Sequence, residues 1–229
     1  MDRRRLAKIS LGALAGLGLA TAAVLDLAPV LRERLPLPRS IPAIMPESEG
    51  PWLDRPERAR EEDPESMVRL MRLAPGMSVA DVGAGTGYMT GILSRAVGPK
   101  GRVFATELQP GFLAALRRLA SESSAKNISV VEGGETDPRL PPASCDVIFL
   151  VDTYHELARP APFLQGLRAA LRPGARLIVA EYRREDRSLP VEAAHRMFLR
   201  DIRAEIEREG FVFVEAPETL PRHHFVVFR

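Results

Sequence analysis

A glycine-rich stretch at residues 79–88 constrains the fold of this chain more than any other feature. It reads VADVGAGTGY, an apolar run that leads into three alternating glycines. The residues before the glycines have the apolar character of a buried strand, and those after them have the periodicity of a helix. A turn without Cβ atoms lets the backbone touch a ligand, and a helix N-terminus offers unpaired N–H groups. The stretch therefore predicts a strand–turn–helix unit that binds a ligand at its turn.

The rest of the chain continues this alternation of strands and helices. The predicted strands are 78–82, 102–106, 128–132, 146–151, 175–182, 211–215 and 224–228, and the predicted helices are 65–73, 88–97, 110–123, 161–171 and 191–209. Strands separated by helices favour parallel βαβ units with right-handed crossovers. The last two strands are too close for a helical crossover and should pair antiparallel. We expect an α/β fold, with a doubly wound, mostly parallel seven-stranded sheet, helices on both faces and an antiparallel C-terminal strand.

The N-terminal part of the chain differs in composition from the rest. Arg3-Arg4-Arg5 precede an uncharged run at 9–25, rich in Leu, Ala and Gly. Such a run is near the lower length limit for a membrane-spanning helix, and it also resembles a secretory or twin-arginine export signal. An alternative is a helix of a soluble protein. We predict a hydrophobic signal or membrane anchor at 1–28, a Pro-rich linker or cap at 29–60 and a catalytic domain at 61–229.

The spacing of the glycines and one acidic residue narrow the choice of ligand. G-x-G-x-G at 83–87 differs from the G-x-G-x-x-G of nicotinamide and flavin binders. The Asp81 carboxylate would repel a phosphate but suits a cationic ammonium group. Glu107 ends the second strand, where a carboxylate can accept hydrogen bonds from both ribose hydroxyls. S-adenosylmethionine (SAM) has an ammonium group and a ribose and lacks phosphate.

Together, Asp81, the G-x-G-x-G turn and Glu107 resemble the SAM-binding motifs of class I methyltransferases, and the resemblance runs from about residue 65 to 229. It implies that Asp81 and the glycine turn surround the methionine part of SAM, and that Glu107 holds the ribose. It also implies an acidic or polar contact to adenine after the third strand, where Glu135 and Asp137 are alternatives. The residues expected to contact SAM are Asp81, Gly83, Ala84, Gly85, Gly87, Tyr88, Glu107, Leu108, Glu135 or Asp137, and Asp152.

The fourth strand is followed by the sequence Asp152-Thr153-Tyr154-His155-Glu156. The ligand crevice of an open α/β sheet lies at the carboxyl ends of its strands, so these polar residues should face the transferred methyl group. The segment resembles the Tyr-His-Glu variant of bacterial small-molecule methyltransferases. His155, Tyr154 and Glu156 are the catalytic candidates: His155 as a base, and Tyr154 as a stacking partner of adenine or substrate. Alternatively, His155 and Glu156 cap or orient the following helix.

Charge and residue counts limit the partners. The net charge of +2 gives no global field for nucleic acid, so no nucleic-acid partner is expected. The resemblance of the Tyr-His-Glu segment implies a small-molecule acceptor. The single cysteine, Cys145, rules out a cysteine-based metal cluster, and the adjacent His223 and His224 should point to opposite strand faces, so no metal ion is expected. His195 is predicted on the late helix, and Trp52, Arg55 and Arg58 either close over the pocket or anchor the linker.

Two other functions, and either side of a membrane as the location of the domain, remain alternatives on the sequence alone. A NAD(P)-dependent oxidoreductase is disfavoured by the glycine spacing and by the antiparallel end of the sheet. A SAM-binding or membrane-tethered interaction protein without catalysis fits the same motifs. The basic flank of the hydrophobic run predicts that the domain lies outside the cytoplasm, whereas SAM is made inside it, so the sequence leaves the facing of the domain undecided.

Overall fold

A computed structural model describes residues 41–124 and 126–229 of the chain. The predicted signal or anchor at 1–28 and the first part of the predicted linker lie outside the described residues. Among the described residues, no helix has the length and apolar character that crossing a bilayer requires.

The fold is built on one seven-stranded sheet with the strand order β3-β2-β1-β4-β5-β7-β6. The strands are β1 (Ser78–Val82), β2 (Arg102–Glu107), β3 (Ile128–Glu132), β4 (Cys145–Val151), β5 (Leu171–Tyr182), β6 (Phe213–Glu215) and β7 (His223–Phe228). Strands β1 to β5 are parallel, and β7 pairs antiparallel with both β5 and β6. The predicted mostly parallel sheet with an antiparallel C-terminal strand is confirmed.

Helices cover both faces of the sheet. They are α1 (Gly50–Leu53), α2 (Arg58–Glu62), α3 (Pro64–Met71), α4 (Tyr88–Val97), α5 (Pro110–Glu122), α6 (Pro160–Ala170) and α7 (Leu199–Arg208). Helices α3 and α4 bury methionine and leucine side chains against one face, and α6 and α7 bury phenylalanine, leucine and isoleucine against the other. Because both faces are covered, the five residues of β1 are all buried, as expected for a central parallel strand.

The described part of the predicted linker, residues 41–60, contains α1, the start of α2 and a 3-10 turn at Glu47–Glu49. Its residues pack against the carboxyl-end side of the sheet. Met45 and Glu47 contact Gln109 and Gly111 at the start of α5. We call residues 41–53 the cap.

The prediction of a single helix at 191–209 is wrong in its first half. The structure has a 3-10 turn at Ala193–His195 and begins α7 only at Leu199. The Met197 amide donates to Tyr182 O at 2.9 Å, and the Arg184 amide donates to Met197 O at 3.0 Å. This backbone pairing next to the end of β5 competes with helix formation, and it brings His195 back toward the sheet.

The order of the strands determines where a ligand binds. The chain runs outward from β1 to β2 and β3, then returns to place β4 on the other side of β1. Open α/β sheets bind ligands at such a reversal, in the crevice outside the carboxyl ends of the strands. A ligand is therefore expected at the carboxyl ends of β1 and β4.

Candidate functional site

A pocket of about 730 Å³ lies at the carboxyl ends of β1, β2 and β4. The cap and residues 190–195 form its outer walls. The predicted site residues that line it are Asp81, Gly83, Ala84, Gly85, Glu107, Leu108, Glu135, Asp152, His155 and Glu156. The structure thus brings most of the predicted cofactor and acceptor residues into one cavity.

The glycine turn lies against the loop that follows β4. Gly83 has a positive φ of 71°, and a Cβ added there would lie 2.4 Å from the Cγ2 atom of Thr153. The amides of Gly83 and Ala84 both donate to Thr106 O on β2, at 2.9 and 3.1 Å. The turn therefore requires glycine at residue 83 both for its backbone conformation and for the space beside Thr153.

Asp81 lies buried beneath this turn, with 1% of its surface exposed. The Thr90 hydroxyl donates to Asp81 Oδ2 at 2.5 Å. Burial raises the pKa of the Asp81 carboxyl to about 6, although the Thr90 hydrogen bond and the charge of Arg58 oppose the rise. A cationic ligand beside Asp81 would replace the lost solvation of its charged form.

Glu107 connects the glycine turn to the loop after β2. Its Oε2 accepts from the Gly85 amide at 3.0 Å, and its Oε1 accepts from the amides of Leu108 and Gln109 at 2.7 and 3.1 Å. Three backbone donors therefore fix the carboxylate in the pocket wall. Oε2 accepts only one of these bonds and keeps a second lone pair that can accept a ribose hydroxyl.

The two alternatives for the adenine contact lie in different surroundings. Gly134 and Glu135 line the pocket, whereas Asp137 does not. Asp137 Oδ1 accepts from the Arg139 amide at 2.8 Å, within its own loop. The geometry favours Glu135 as the residue at the adenine end.

Gly87 and Tyr88, although predicted as cofactor contacts, do not line the pocket. A Cβ on Gly87 would meet the side chains of Leu116 and Leu119 on α5. The Arg58 guanidinium lies over the Tyr88 ring, 4.5 Å from its centroid. These two residues support the turn from behind.

Tyr154 also lies away from the pocket, contrary to the prediction that it stacks on a ligand. Its side chain is fully buried in the core, and its hydroxyl donates to Glu205 Oε2 at 3.1 Å. Tyr154 begins the 3-10 turn Tyr154–Glu156, and its ring packs in the core cluster that also contains residues of α6 and α7. Thr153, His155 and Glu156, next to it in the chain, line the cavity.

His155 lies between a carboxylate and a second histidine. Its Nδ1 is 2.6 Å from Glu181 Oε2, and its Nε2 is 3.1 Å from Nδ1 of His195. Burial opposes protonation of His155, but the Glu181 carboxylate prevails and raises its pKa. Burial and the neighbouring His155 lower the pKa of His195. Of Glu181, His155 and His195, only His195 is partly exposed, and it lies on the pocket side.

Glu156 faces the same part of the cavity and contacts the cap. Its Oε1 accepts from the Met45 amide at 3.2 Å. Burial raises the pKa of the Glu156 carboxyl. His155, Glu156 and His195 each offer an atom that can bind a metal ion, and these atoms lie within 4.8 Å of one another.

A second polar cluster lies beside Asp152 under the cap. Asp152 has a positive φ of 49°, and its two carboxylate oxygens lie 3.0 and 3.2 Å from His223 Nε2. Tyr182 donates to Glu62 Oε1 at 2.8 Å, and Arg58 donates to Glu62 Oε2 at 2.7 Å. Burial raises the pKa of the Asp152 carboxyl although His223 opposes the rise. The cluster anchors α2, which follows the cap, to β5 and β7.

Glu181 and Glu62 were not among the residues predicted from the sequence, and His195 was predicted only as a residue of the late helix, either near the substrate side or on the helix surface. Glu181 had a detectable signal, because it is an acidic residue at the end of the apolar run LIVAEY, in a strand predicted to be buried. Nothing in the sequence pairs Glu62 with residues on β5 or β7. The wrongly predicted helix concealed the proximity of His195 to His155.

Comparison with known proteins identifies the domain around this pocket. The family described as Methyltransferase domain matches residues 80–179. A protein-L-isoaspartate O-methyltransferase from Methanothrix thermoacetophila is 30% identical over 113 residues, which are 49% of this chain and 51% of that relative. A tRNA (adenine(58)-N(1))-methyltransferase from Thermus thermophilus is 35% identical over 117 residues, which are 51% of this chain and 44% of that relative. The chain thus spans about half the length of these relatives.

A solved structure covers more of the chain. The crystal structure of a SAM-dependent methyltransferase from Aquifex aeolicus matches with a TM-score of 0.76 and 28% identity, covering 81% of this chain and 98% of that one. In its matching domain, its fold and its glycine turn flanked by Asp81 and Glu107, the chain is thus similar to class I SAM-dependent methyltransferases, whose cofactor is SAM.

Proposed function

We propose that this protein transfers the methyl group of SAM to a small-molecule acceptor bound between the cap and residues 190–195. The observation that carries the proposal is the continuity of the pocket. One cavity joins Asp81 and Glu107, which suit the cofactor, to His155, Glu156 and His195, which are polar groups at the acceptor end.

The cofactor end of the pocket suits SAM in charge and shape. Asp81 supplies a buried carboxylate for the ammonium group. The glycines of the adjacent turn have no side chains, so a ligand can contact the backbone there. Glu107, held by three amides, is placed for the ribose. Methyl transfer from a sulfonium is a direct displacement, so holding the acceptor in line with the methyl group supplies much of the rate acceleration.

The size and closure of the cavity support a small acceptor. A volume of about 730 Å³ lies within the range of small-ligand pockets, and the cofactor takes up part of it. The cap is hydrogen-bonded across the pocket, from Met45 to Glu156 and to Gln109. The relatives named above are described as acting on a protein and on a tRNA. The near-neutral net charge of this chain, +2, supports an acceptor other than nucleic acid.

The test is formation of S-adenosylhomocysteine by the full chain from methyl-labelled SAM and a fractionated metabolite extract. We expect label in a small-molecule fraction, and no label when protein or tRNA replaces the extract. NADH serves as the binding control, because the glycine spacing disfavours it. Label in tRNA or protein alone would overturn the small-molecule acceptor, and SAM binding without any product would support a binding protein instead.

A further inference from the structure

Three side chains at the acceptor end are arranged as metal ligands. His155 Nε2 and His195 Nδ1 are 3.1 Å apart, and a Glu156 carboxylate oxygen lies within 4.8 Å of both. The two imidazole rings are nearly perpendicular, with an interplanar angle of 85°. Nitrogens bound to one tetrahedral zinc ion at about 2.0–2.1 Å lie roughly 3.3 Å apart. A small outward movement of His195 would place both nitrogens at ligand distance from one ion.

A buried carboxylate behind His155 completes the arrangement. Glu181 is fully buried, and its Oε2 lies 2.6 Å from His155 Nδ1. Its Oε1 accepts from the amides of Thr153 and His155, both at 3.2 Å, so the carboxylate is fixed in position. Histidines that bind metals usually donate their other ring N–H to a carboxylate, which orients the ring and makes the free nitrogen a better ligand. Here that nitrogen is Nε2, on the side of His195.

The cluster around Asp152 differs in this respect. Asp152, Glu62 and His223 also lie close enough to hold an ion. However, Arg55 and Arg58 donate to the two oxygens of Glu62, at 2.7 Å each, and Tyr182 donates to one of them as well. Two guanidinium groups already neutralise this cluster, so a cation there would meet positive charge. His155, Glu156 and His195 have no comparable arginine contact among the described hydrogen bonds and ion pairs.

We propose that His155, His195 and Glu156 bind a divalent transition-metal ion, with zinc the best fit to two imidazoles and one carboxylate. Three protein ligands are the set of a catalytic zinc site, which keeps its fourth position open. That position faces the pocket, because all three residues line it. The inference rests on the proposed function and specifies its substrate class: an alcohol, phenol or thiol that binds the metal through its oxygen or sulfur.

A metal ion bound to the acceptor would account for the loss of the acceptor's proton and for the charge that the acceptor then carries. Coordination lowers the pKa of the hydroxyl or thiol, so its proton passes to water before transfer. The bound oxygen or sulfur anion then forms a bond to the methyl carbon of SAM. The bond from that carbon to the sulfonium sulfur breaks, and its electron pair stays on sulfur. The products are a methyl ether or methyl thioether of the acceptor and S-adenosylhomocysteine, whose sulfur is neutral.

The test is titration of the metal-free full chain with Zn²⁺ and with Co²⁺, with SAM binding measured on the same samples. We expect one equivalent of Zn²⁺ to bind, and the Co²⁺ form to show the strong visible absorption of a low-coordinate nitrogen and oxygen site. His195→Gln and Glu156→Gln should each weaken Zn²⁺ binding by about 100-fold or more, and Glu181→Gln by about 10–100-fold. Glu192→Gln removes another pocket-lining carboxylate and should leave the affinity within about twofold of the wild type.

His195 and Glu156 are partly exposed, so their variants should fold, and thermal unfolding checks this. If the wild-type chain binds SAM but does not bind one equivalent of Zn²⁺, the metal site is overturned and the proposed function still stands. The metal site would also be overturned if Zn²⁺ binding survives both His195→Gln and Glu156→Gln, or if Zn²⁺ binding is lost only in His223→Gln. A chain that binds Zn²⁺ at these residues but not SAM would contradict the proposed function alone.

Discussion

Asp81 is a carboxylate buried under the glycine turn, and its burial has a measurable cost in the ligand-free protein. Its pKa in the folded state is about 6, against 3.8 for the ordinary group. The folded state therefore holds the proton more tightly than the unfolded state. Stability that is present below pH 4 is lost as the pH rises through the window from about 4 to about 6.

Asp81→Asn should remove this loss. At pH 8 and without SAM, we expect the variant to be more stable than the wild type by on the order of 2–3 kcal/mol, with the difference shrinking toward pH 4. Urea unfolding of both proteins between pH 4 and pH 8 measures it. Glu65→Gln, at an exposed carboxylate, is the control and should show no such trend. A variant that is less stable at every pH would contradict the assigned burial of charge.

Gly83 makes a second prediction at the residue scale. Gly83→Ala introduces a Cβ at a positive φ and 2.4 Å from Thr153 Cγ2, so the turn must shift. We expect a loss of stability of about 2–3 kcal/mol together with loss of SAM binding. Gly76→Ala is the matched control, since Gly76 has a φ of 90° but nothing within 4 Å of an added Cβ. It should cost only about 1 kcal/mol and keep SAM binding. Equal effects in both variants would show that the contact with Thr153 is unimportant.

At the scale of elements, the cap forms an outer wall of the pocket and is expected to limit access to it. Gln109 Nε2 donates to Met45 O at 3.0 Å, and this bond crosses from the start of α5 to the cap. Gln109→Ala should therefore let the cap open more often. We expect SAM to dissociate about 2–10-fold faster, with little change in the free energy of unfolding. Stopped-flow dissociation measures the rate, and Gln165→Ala, at an exposed position of α6, is the control. An unchanged dissociation rate would mean that the cap does not gate the cofactor.

The elements that could be predicted from sequence are those with strong local signals. The bounds of β1 and α4 match the prediction because an apolar run, three glycines and a terminal glycine delimit them. The segment before α7 could not be predicted in this way. Its residues have helical propensity, but the backbone pairing of Met197 with Tyr182 and Arg184 prevails. Tertiary contacts of this kind leave no periodic signal.

The candidate site divides in the same way. Asp81, Gly83, Gly85 and Glu107 were found because their chemistry is encoded in one short stretch and one strand end. The partnership of His155 with Glu181 and His195 joins three segments distant in sequence. It depends on the register of β4 beside β5 and on the path of residues 191–198. A single sequence reveals these only through Glu181, a lone acid in an apolar strand.

At the scale of the whole molecule, the hydrophobic segment at 1–28 remains a prediction. We expect the full chain to fractionate with membranes and a chain that begins at residue 29 to remain in the supernatant, because the apolar run would supply the attachment. Fractionation followed by a high-salt wash distinguishes insertion from surface adsorption. Recovery of the uncleaved full chain in the supernatant would contradict a membrane anchor. A reporter fused after Arg229 then shows which side the domain faces.

The central property proposed for the whole molecule is the binding of a cationic, phosphate-free nucleoside between two acids. Calorimetric titration of SAM into the full chain, Asp81→Asn and Glu107→Gln tests it most directly. We predict that the wild type binds one SAM and that each variant binds it about tenfold or more weakly, since each loses a charge-assisted contact. A wild-type chain that does not bind SAM, or variants that bind it as tightly as the wild type, would contradict it.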